Sequence, residues 1–213
     1  MQSVFVTGTD TGVGKTQVSC ALIRQLIAEG YRVVGMKPVA SGAYFVDGKL
    51  VNEDALHLMA TANVDAPYEW INPYCFEAAI APHIAALQAG IPISLEVISS
   101  AYQQLATVAD VVVVEGVGGW AVPISAAQTM ADVAAMLSLP VIMVVGMRLG
   151  CLNHALLTAQ SILASTLPFA GWIANTLDPM MPALQENMDT LKEVLQIPLI
   201  GMLDYGSGII RNT

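Results

Sequence analysis

Charge is scarce in this chain. Only 12% of its 213 residues are charged, against roughly 25% in an average soluble domain. Basic residues are scarcer still, with 8 Lys and Arg against 17 Asp and Glu and a net charge of −9. A chain so poor in cations offers no broad basic face. It is therefore not expected to bind nucleic acid or an anionic membrane in a general way, since both require displacement of counterions by Lys and Arg. A compact basic pocket for one phosphorylated ligand remains compatible with that balance. Cysteine is scarce too: Cys20, Cys75 and Cys151 are odd in number and far apart, with no metal-ligand spacing. The sequence also lacks a clean membrane span. The charge-free stretch from Leu149 to Leu177 is long enough for a bilayer, but Asn153, His154, Thr158, Gln160 and Pro168 interrupt it. No basic flank, apolar segment and small-residue cleavage site begin the sequence, so no secretory signal is predicted. The expectation is a cytoplasmic chain in a reducing compartment.

What the sequence does have is hydrophobic residues, 55% of the total, arranged in an alternating order. Strands are predicted at Val4–Val6, Arg32–Met36, Val111–Val114, Val141–Val145, Gly171–Ala174 and Leu199–Met202. Helical periodicity runs from Thr16 to Glu29 and recurs near 54–62, 82–89, 95–108, 129–137, 153–165 and 183–195. Ser94 is a candidate N-cap and Pro82 suits a first helical turn. Val111-Val112-Val113-Val114 shows no polar alternation, as expected of a parallel strand covered on both faces. The pattern predicts one α/β domain over 1–213 built on a doubly wound parallel sheet; with the glycine loop Gly8–Thr16 after its first strand, the expected fold is of the P-loop nucleoside triphosphatase type. The least regular stretch runs from Ala43 to Glu77.

The strongest local signal is Gly8-Thr9-Asp10-Thr11-Gly12-Val13-Gly14-Lys15-Thr16, between the first strand and the first helix. A glycine loop in that place aims backbone N–H groups and the positive helix end at an anion. Lys15 is expected to reach the outer phosphates and Thr16 to bind Mg²⁺. Five residues separate Gly8 from Gly14, where the usual motif has four.

Two further strand ends carry chemistry. Glu115 follows Val111–Val114 and precedes Gly116, Gly118 and Gly119, at the edge where open α/β sheets bind ligands. A carboxylate there suits Mg²⁺, directly or through water. Lys37 ends the second strand in Lys37-Pro38-Val39-Ala40-Ser41-Gly42; it is either an ordinary exposed lysine or a group that stabilises charge in phosphoryl transfer. Asp54, at a helix start, reads more often as a cap or dipole partner than as a metal ligand. His83 and His154 have no ligand partners in sequence and are assigned to packing or an interface.

Taken together, these motifs resemble the dethiobiotin synthetase family. The resemblance rests on Gly8–Thr16, Lys37–Gly42, Asn72-Pro73-Tyr74, Ala81-Pro82-His83, Val114–Trp120, Leu149–His154 and Gly171–Asn175, which occur in the family's order. It implies an ATP- and Mg²⁺-dependent cyclo-ligase that carboxylates 7,8-diaminononanoate with CO2. The carbamate would attack the γ-phosphate, giving a carbamic–phosphoric anhydride, and the second amine would close the ureido ring.

By matching position, the resemblance implies Lys37 as the catalytic lysine, with Lys15, Thr11 and Ser41 around the carbamate and transferred phosphate. Thr16, Asp54 and Glu115 would hold the metal. Gly12, Val13, Gly14 and Gln17 of the loop, together with Gly116, Val117 and Gly118, would border the nucleotide; Asn175 and Thr176 would meet adenine. A homodimer is implied, with Gly150, Cys151, Leu152 and Asn153 of one subunit meeting the substrate carboxylate. The chain departs from the family pattern at Asp204, where a proline is expected. Two other readings are a repurposed family member with another substrate and, of another class, an ATP-driven switch of the partitioning type. Such proteins carry an extra lysine early in the loop, and no lysine lies between Gly8 and Gly14.

Overall fold

The computed structural model describes residues 3–211. In chain order the elements are β1 (Val4–Gly8), α1 (Lys15–Ala28), β2 (Val33–Met36), β3 (Val39–Ser41), β4 (Tyr44–Val46), β5 (Lys49–Val51), α2 (Glu53–Thr61), α3 (Tyr68–Ile71) and β6 (Tyr74–Phe76). They continue with α4 (Pro82–Ala89), α5 (Leu95–Val108), β7 (Val111–Glu115), α6 (Met130–Leu137), β8 (Val141–Met147), α7 (Cys151–Ala164), β9 (Phe169–Thr176), α8 (Leu184–Leu195), β10 (Leu199–Leu203) and β11 (Ile210–Arg211).

Seven strands form the main sheet in the order β11-β10-β9-β8-β1-β7-β2. All neighbouring pairs are parallel except β10–β11, which is antiparallel. The predicted parallel sheet therefore gains an antiparallel edge strand, short enough to close the edge without inviting a partner strand.

Side-chain alternation divides the core in two. Val111 and Val113 of β7, with Ile142 and Val144 of β8, pack on one face against α1 residues such as Val18 and Ile23. Val112, Val114, Val141 and Val145 point to the other face, toward α5, α6 and α7. Because both faces are covered, β7 and β8 are buried along their full length. That is the physical reason they contain no polar position before the strand end, where Glu115 closes β7.

Helix ends are set by caps rather than by hydrophobic period. Ser94 caps α5, accepting from Glu96 N and Val97 N, and Pro82 opens α4. Thr129, predicted as helical, is instead the cap of α6 in a capping box with Asp132. α2 begins at Glu53 because Asn52 accepts from Asp54 N and Ala55 N. α7 begins at Cys151, two residues before the predicted start, immediately after Gly150 at φ +93°.

The irregular stretch resolves into small pieces. β4 and β5 form a hairpin through Asp47 and Gly48, both at positive φ. β3 and β6 pair in parallel beyond the end of β2.

Candidate active site

The parallel strands β1, β2, β7, β8 and β9 deliver their C-terminal ends to one edge of the sheet. β1 lies between β7 and β8; its own connection runs past β7 to β2, while that of β7 runs back past β1 to β8, and a crevice opens between them. A cleft of about 890 Å³ occupies this edge. Its walls include Thr11, Gly12, Gly14, Lys15, Thr16 and Gln17 from the glycine loop and the start of α1. Lys37 and Ser41 enter from the chain after β2, Asp54 from α2, and Glu115, Val117 and Gly118 from the end of β7.

The loop geometry depends on close packing. Gly14 sits at φ +83°, and a Cβ there would lie 2.0 Å from Asn175 Nδ2. The space a side chain would fill is taken by an amide that donates to Val13 O at 2.9 Å. Val13 and Asn175 are consequently buried, with Thr176 beside them at the end of β9. These three support the loop from behind instead of lining the cleft. Lys15 bends back over the loop and donates to Asp10 O at 3.1 Å. Burial first, and then the neighbouring Lys37, push its pKa down to about 8.

Lys37 is the centre of the constellation. Its side chain is 3% exposed, and its ammonium lies 2.6 Å from Glu115 Oε1 and 2.7 Å from Asp54 Oδ2. It also donates to Gly116 O at 3.2 Å. Of the two sequence readings for Lys37, the exposed lysine is excluded. Burial alone would lower its pKa, but the two carboxylates outweigh burial and hold it above the ordinary lysine value. Asp54 responds oppositely: burial pushes its pKa up, and Lys37 more than reverses that. The Thr16 hydroxyl donates to the same Glu115 oxygen at 2.8 Å.

Thr16, Asp54 and Glu115 thus converge from three elements. Glu115 Oε2 is buried and has no hydrogen-bond partner, an open acceptor beside a hydroxyl and a second carboxylate. This all-oxygen set suits a hard divalent cation such as Mg²⁺. Among the described residues no three or more His, Cys, Asp or Glu are grouped so as to hold a metal ion by themselves, and the hydroxyl is what completes the set here. Ser41 Oγ is likewise buried without a partner and borders the cleft.

A buried network places Lys37. Its N–H donates to Ile71 O at 2.7 Å, and its carbonyl accepts from Asn72 Nδ2 at 2.6 Å. Asn72 Oδ1 accepts from Tyr68 Oη at 2.9 Å, and Tyr68 Oη accepts from Asn52 N at 2.8 Å. The cap of α2 and the turn bearing Lys37 are therefore one unit. Burial pushes the Tyr68 phenol up, keeping it neutral as a donor. In the sequence Asn72 shows only as an amide directly before proline in Asn72-Pro73-Tyr74, a signal that carries no role by itself.

The cleft also draws on residues that the sequence did not single out, including Glu53 and His57 of α2, Ala79, Val122 and Leu177. By contrast, Gly150, Cys151, Leu152 and Asn153, at the start of α7, do not line the cleft formed by one chain. The structure ties them to the site only indirectly. Arg148, just before them, contacts Asp10 of the loop at 2.5 Å.

A glycine loop between a buried strand and a helix, with a lysine, a hydroxyl and strand-end carboxylates around it, defines a P-loop nucleotide-binding α/β protein. The family described as an AAA domain matches residues 2–213. Among solved structures, the cell division protein FtsY of Thermotoga maritima is similar at a TM-score of 0.58 and 16% identity, covering 99% of this chain and 64% of that one. A ParA family ATPase of Chlorobium tepidum gives a TM-score of 0.58 at 15% identity, covering 97% and 86%. These likenesses establish the fold alone.

Sequence relatives are far closer. The ATP-dependent dethiobiotin synthetase BioD of Xylella fastidiosa (strain 9a5c) is 51% identical over 205 residues, 96% of this chain and 91% of its own length. The protein of the same name from Xanthomonas euvesicatoria is 50% identical over 204 residues, covering 96% and 91%. That of Aromatoleum aromaticum is 47% identical with the same coverage. The chain belongs to the ATP-dependent dethiobiotin synthetase family.

Proposed function

We propose that the chain is a Mg-ATP-dependent cyclo-ligase that makes dethiobiotin from 7,8-diaminononanoate and CO2. The observation that carries the reading is the buried ammonium of Lys37 between Asp54 and Glu115, beside the glycine loop, in a chain about half identical to named dethiobiotin synthetases over nearly its whole length.

The chemistry asks for positioning and charge neutralisation more than for a nucleophilic side chain. The carbamate oxygen of the substrate forms a bond to the γ-phosphorus as ADP departs. The second amine then attacks the carbamoyl carbon, and phosphate leaves. The N–H groups of Gly12, Val13 and Gly14, with Lys15, receive the phosphates, and Gln17 and Val117 border the nucleotide. Lys37 neutralises the charge that builds on the transferred group, and the hydroxyls of Thr11 and Ser41 orient the carbamate. Thr16, Asp54 and Glu115 would hold Mg²⁺, which supplies further neutralisation of the phosphate oxygens.

Asn175 lies outside the walls of the cleft, with its amide nitrogen on Val13 O; its carbonyl oxygen is left for a base that comes to rest against the loop. An acceptor there suits the amino group of adenine. Gly116 and Gly118 let the backbone run close to the nucleotide, and Thr176 closes that side. The start of α7, Gly150 to Asn153, lies outside the cleft of its own chain, which supports its use by a second subunit. The enzyme is then a cytoplasmic homodimer in which that helix start meets the substrate carboxylate. No helix among the described residues is long and apolar enough to cross a membrane.

The test is direct. Purified protein supplied with Mg-ATP, bicarbonate and the diamine should release ADP and one cyclic urea per turnover, and omission of the diamine or of CO2 should stop both. ATP turnover independent of the diamine, with no cyclic urea formed, would defeat the assignment.

A further inference from the structure

We infer that Arg148 is a positioning residue of the phosphate loop, acting through Asp10. The loop holds one residue more than the usual motif between its first glycine and the glycine before the lysine, and the additional length needs a brace. Asp10 supplies it at three atoms. Its Oδ1 accepts from Thr11 N at 2.7 Å, its carbonyl accepts from Lys15 Nζ at 3.1 Å, and its Oδ2 accepts from Arg148 Nη2 at 2.5 Å.

Arg148 reaches this place because β8 runs beside β1. Thr9 N donates to Val144 O at 3.1 Å, and Gly8 is in register with Val144. The chain leaving β8 therefore passes the loop just as its last strand residue, Met147, ends. The carbonyl of Arg148 then accepts from Cys151 N at 3.0 Å, so one residue braces the phosphate loop and shapes the turn into α7.

As an ion pair this contact adds little stability, since the two side chains are 43% and 44% exposed. Its effect is local and electrostatic. With the guanidinium present, the Asp10 carboxylate is neutralised and turned to hold the Thr11 N–H, which fixes the backbone that Lys15 bends onto. Without it, an uncompensated carboxylate stands in the loop that receives phosphates, free to turn away from Thr11. Both consequences weaken anion binding. Neither touches the diamine.

This inference rests on the proposed nucleotide site, and the experiment separates the two. ATP binding is measured by calorimetry for the wild type, Arg148→Ala, Asp10→Asn and the double variant. The wild type should bind ATP; failure to do so would overturn the proposed function itself. Arg148→Ala should weaken ATP binding about fivefold in the wild-type background and by less than about twofold when Asp10 is already Asn. An equal loss in both backgrounds would show that Arg148 does not act through Asp10 and would overturn the inference. Arg148→Lys keeps the charge and should recover most of the affinity, which a loss of packing would not. In steady state, Arg148→Ala should raise KM for ATP while KM for the diamine stays unchanged. A rise confined to the diamine would place Arg148 on the substrate and overturn the inference.

Discussion

Lys37 Nζ and Glu115 Oε1 lie 2.6 Å apart with side chains 3% and 0% exposed. A pair so fully removed from water gains little over apolar residues of similar volume, because desolvation offsets the attraction. Its place at the head of the cleft is explained by function. The ammonium bridges Glu115 and Asp54, the two carboxylates of the oxygen set, and shares the cleft with the glycine loop.

Removing half of this pair should be costly. Lys37→Met leaves Glu115 buried and uncompensated, and is expected to lower the unfolding free energy by about 3–5 kcal/mol. Turnover should fall by at least about 10²-fold, the scale of losing one charge-stabilising donor. Adding Glu115→Gln should recover stability without recovering turnover. Urea unfolding and ADP release measured on the same preparations test this; Lys37→Met with unchanged stability would contradict the buried-pair reading.

Lys15 makes the site sensitive to pH from the alkaline side. Its pKa is pushed down to about 8 by burial and by Lys37, so the free folded protein releases this proton near pH 8 while the unfolded chain holds it to about 10.5. Between those values the unfolded state binds more protons, so this group's contribution to stability increases with pH. Phosphate binding requires the charged form and runs the other way. Nucleotide affinity is expected to weaken as pH rises through 8, with a proton taken up on binding. Calorimetry at pH 8.5 in buffers of different ionisation enthalpy reads the uptake directly. It should vanish in Lys15→Met, and an affinity constant from pH 7 to 9.5 in the wild type would count against the shift.

Much of this was legible in the sequence, and the limits have physical causes. The valine runs of β7 and β8 announced strands buried on both faces, and period 3.6 located most helices. Glu115 and Lys37 could be placed together because parallel strands deliver their ends to one edge. The hairpin of β4 and β5 carries a readable signal in Asp47-Gly48, but Lys49 directly after it breaks the apolar flank and the surrounding stretch has no regular period. What could not be read were contacts between groups distant in the chain. The amide of Asn175 on Val13 O, the amide of Asn72 on Lys37 O and the guanidinium of Arg148 on Asp10 all depend on how strands are ordered in space. No local pattern specifies them.

Gly14 is where the loop tolerates least. A Cβ at this position meets Asn175 Nδ2 at 2.0 Å, and the backbone at φ +83° disfavours any L side chain. Backbone strain alone amounts to about 1–2 kcal/mol. Gly14→Ala should therefore destabilise the protein by more than that strain and abolish measurable nucleotide binding. Adding Asn175→Ala removes the clash but neither the strain nor the lost bond to Val13 O. Stability should return in part and nucleotide binding should not. Full recovery of both in the double variant would mean that the side-chain clash, and not the loop conformation, is what glycine avoids.

Asn52 offers a milder perturbation of the same site from the other side. Its Oδ1 accepts from Asp54 N at 3.1 Å and Ala55 N at 3.4 Å, its N–H donates to Tyr68 Oη at 2.8 Å, and its Nδ2 donates to Ser41 O at 3.4 Å. Only the side-chain bonds are lost in Asn52→Ala, which leaves the first turn of α2 uncapped and is expected to lower stability by about 1 kcal/mol. The same turn aims Asp54 at Lys37, so the half-saturating Mg²⁺ concentration in turnover should rise along with the loss of stability. Asn52→Ser restores a capping acceptor and should return both quantities most of the way, since serine caps about as well as asparagine. A stability loss with no change in Mg²⁺ dependence would mean that Asp54 is aimed by Lys37 alone and that the cap serves the helix only.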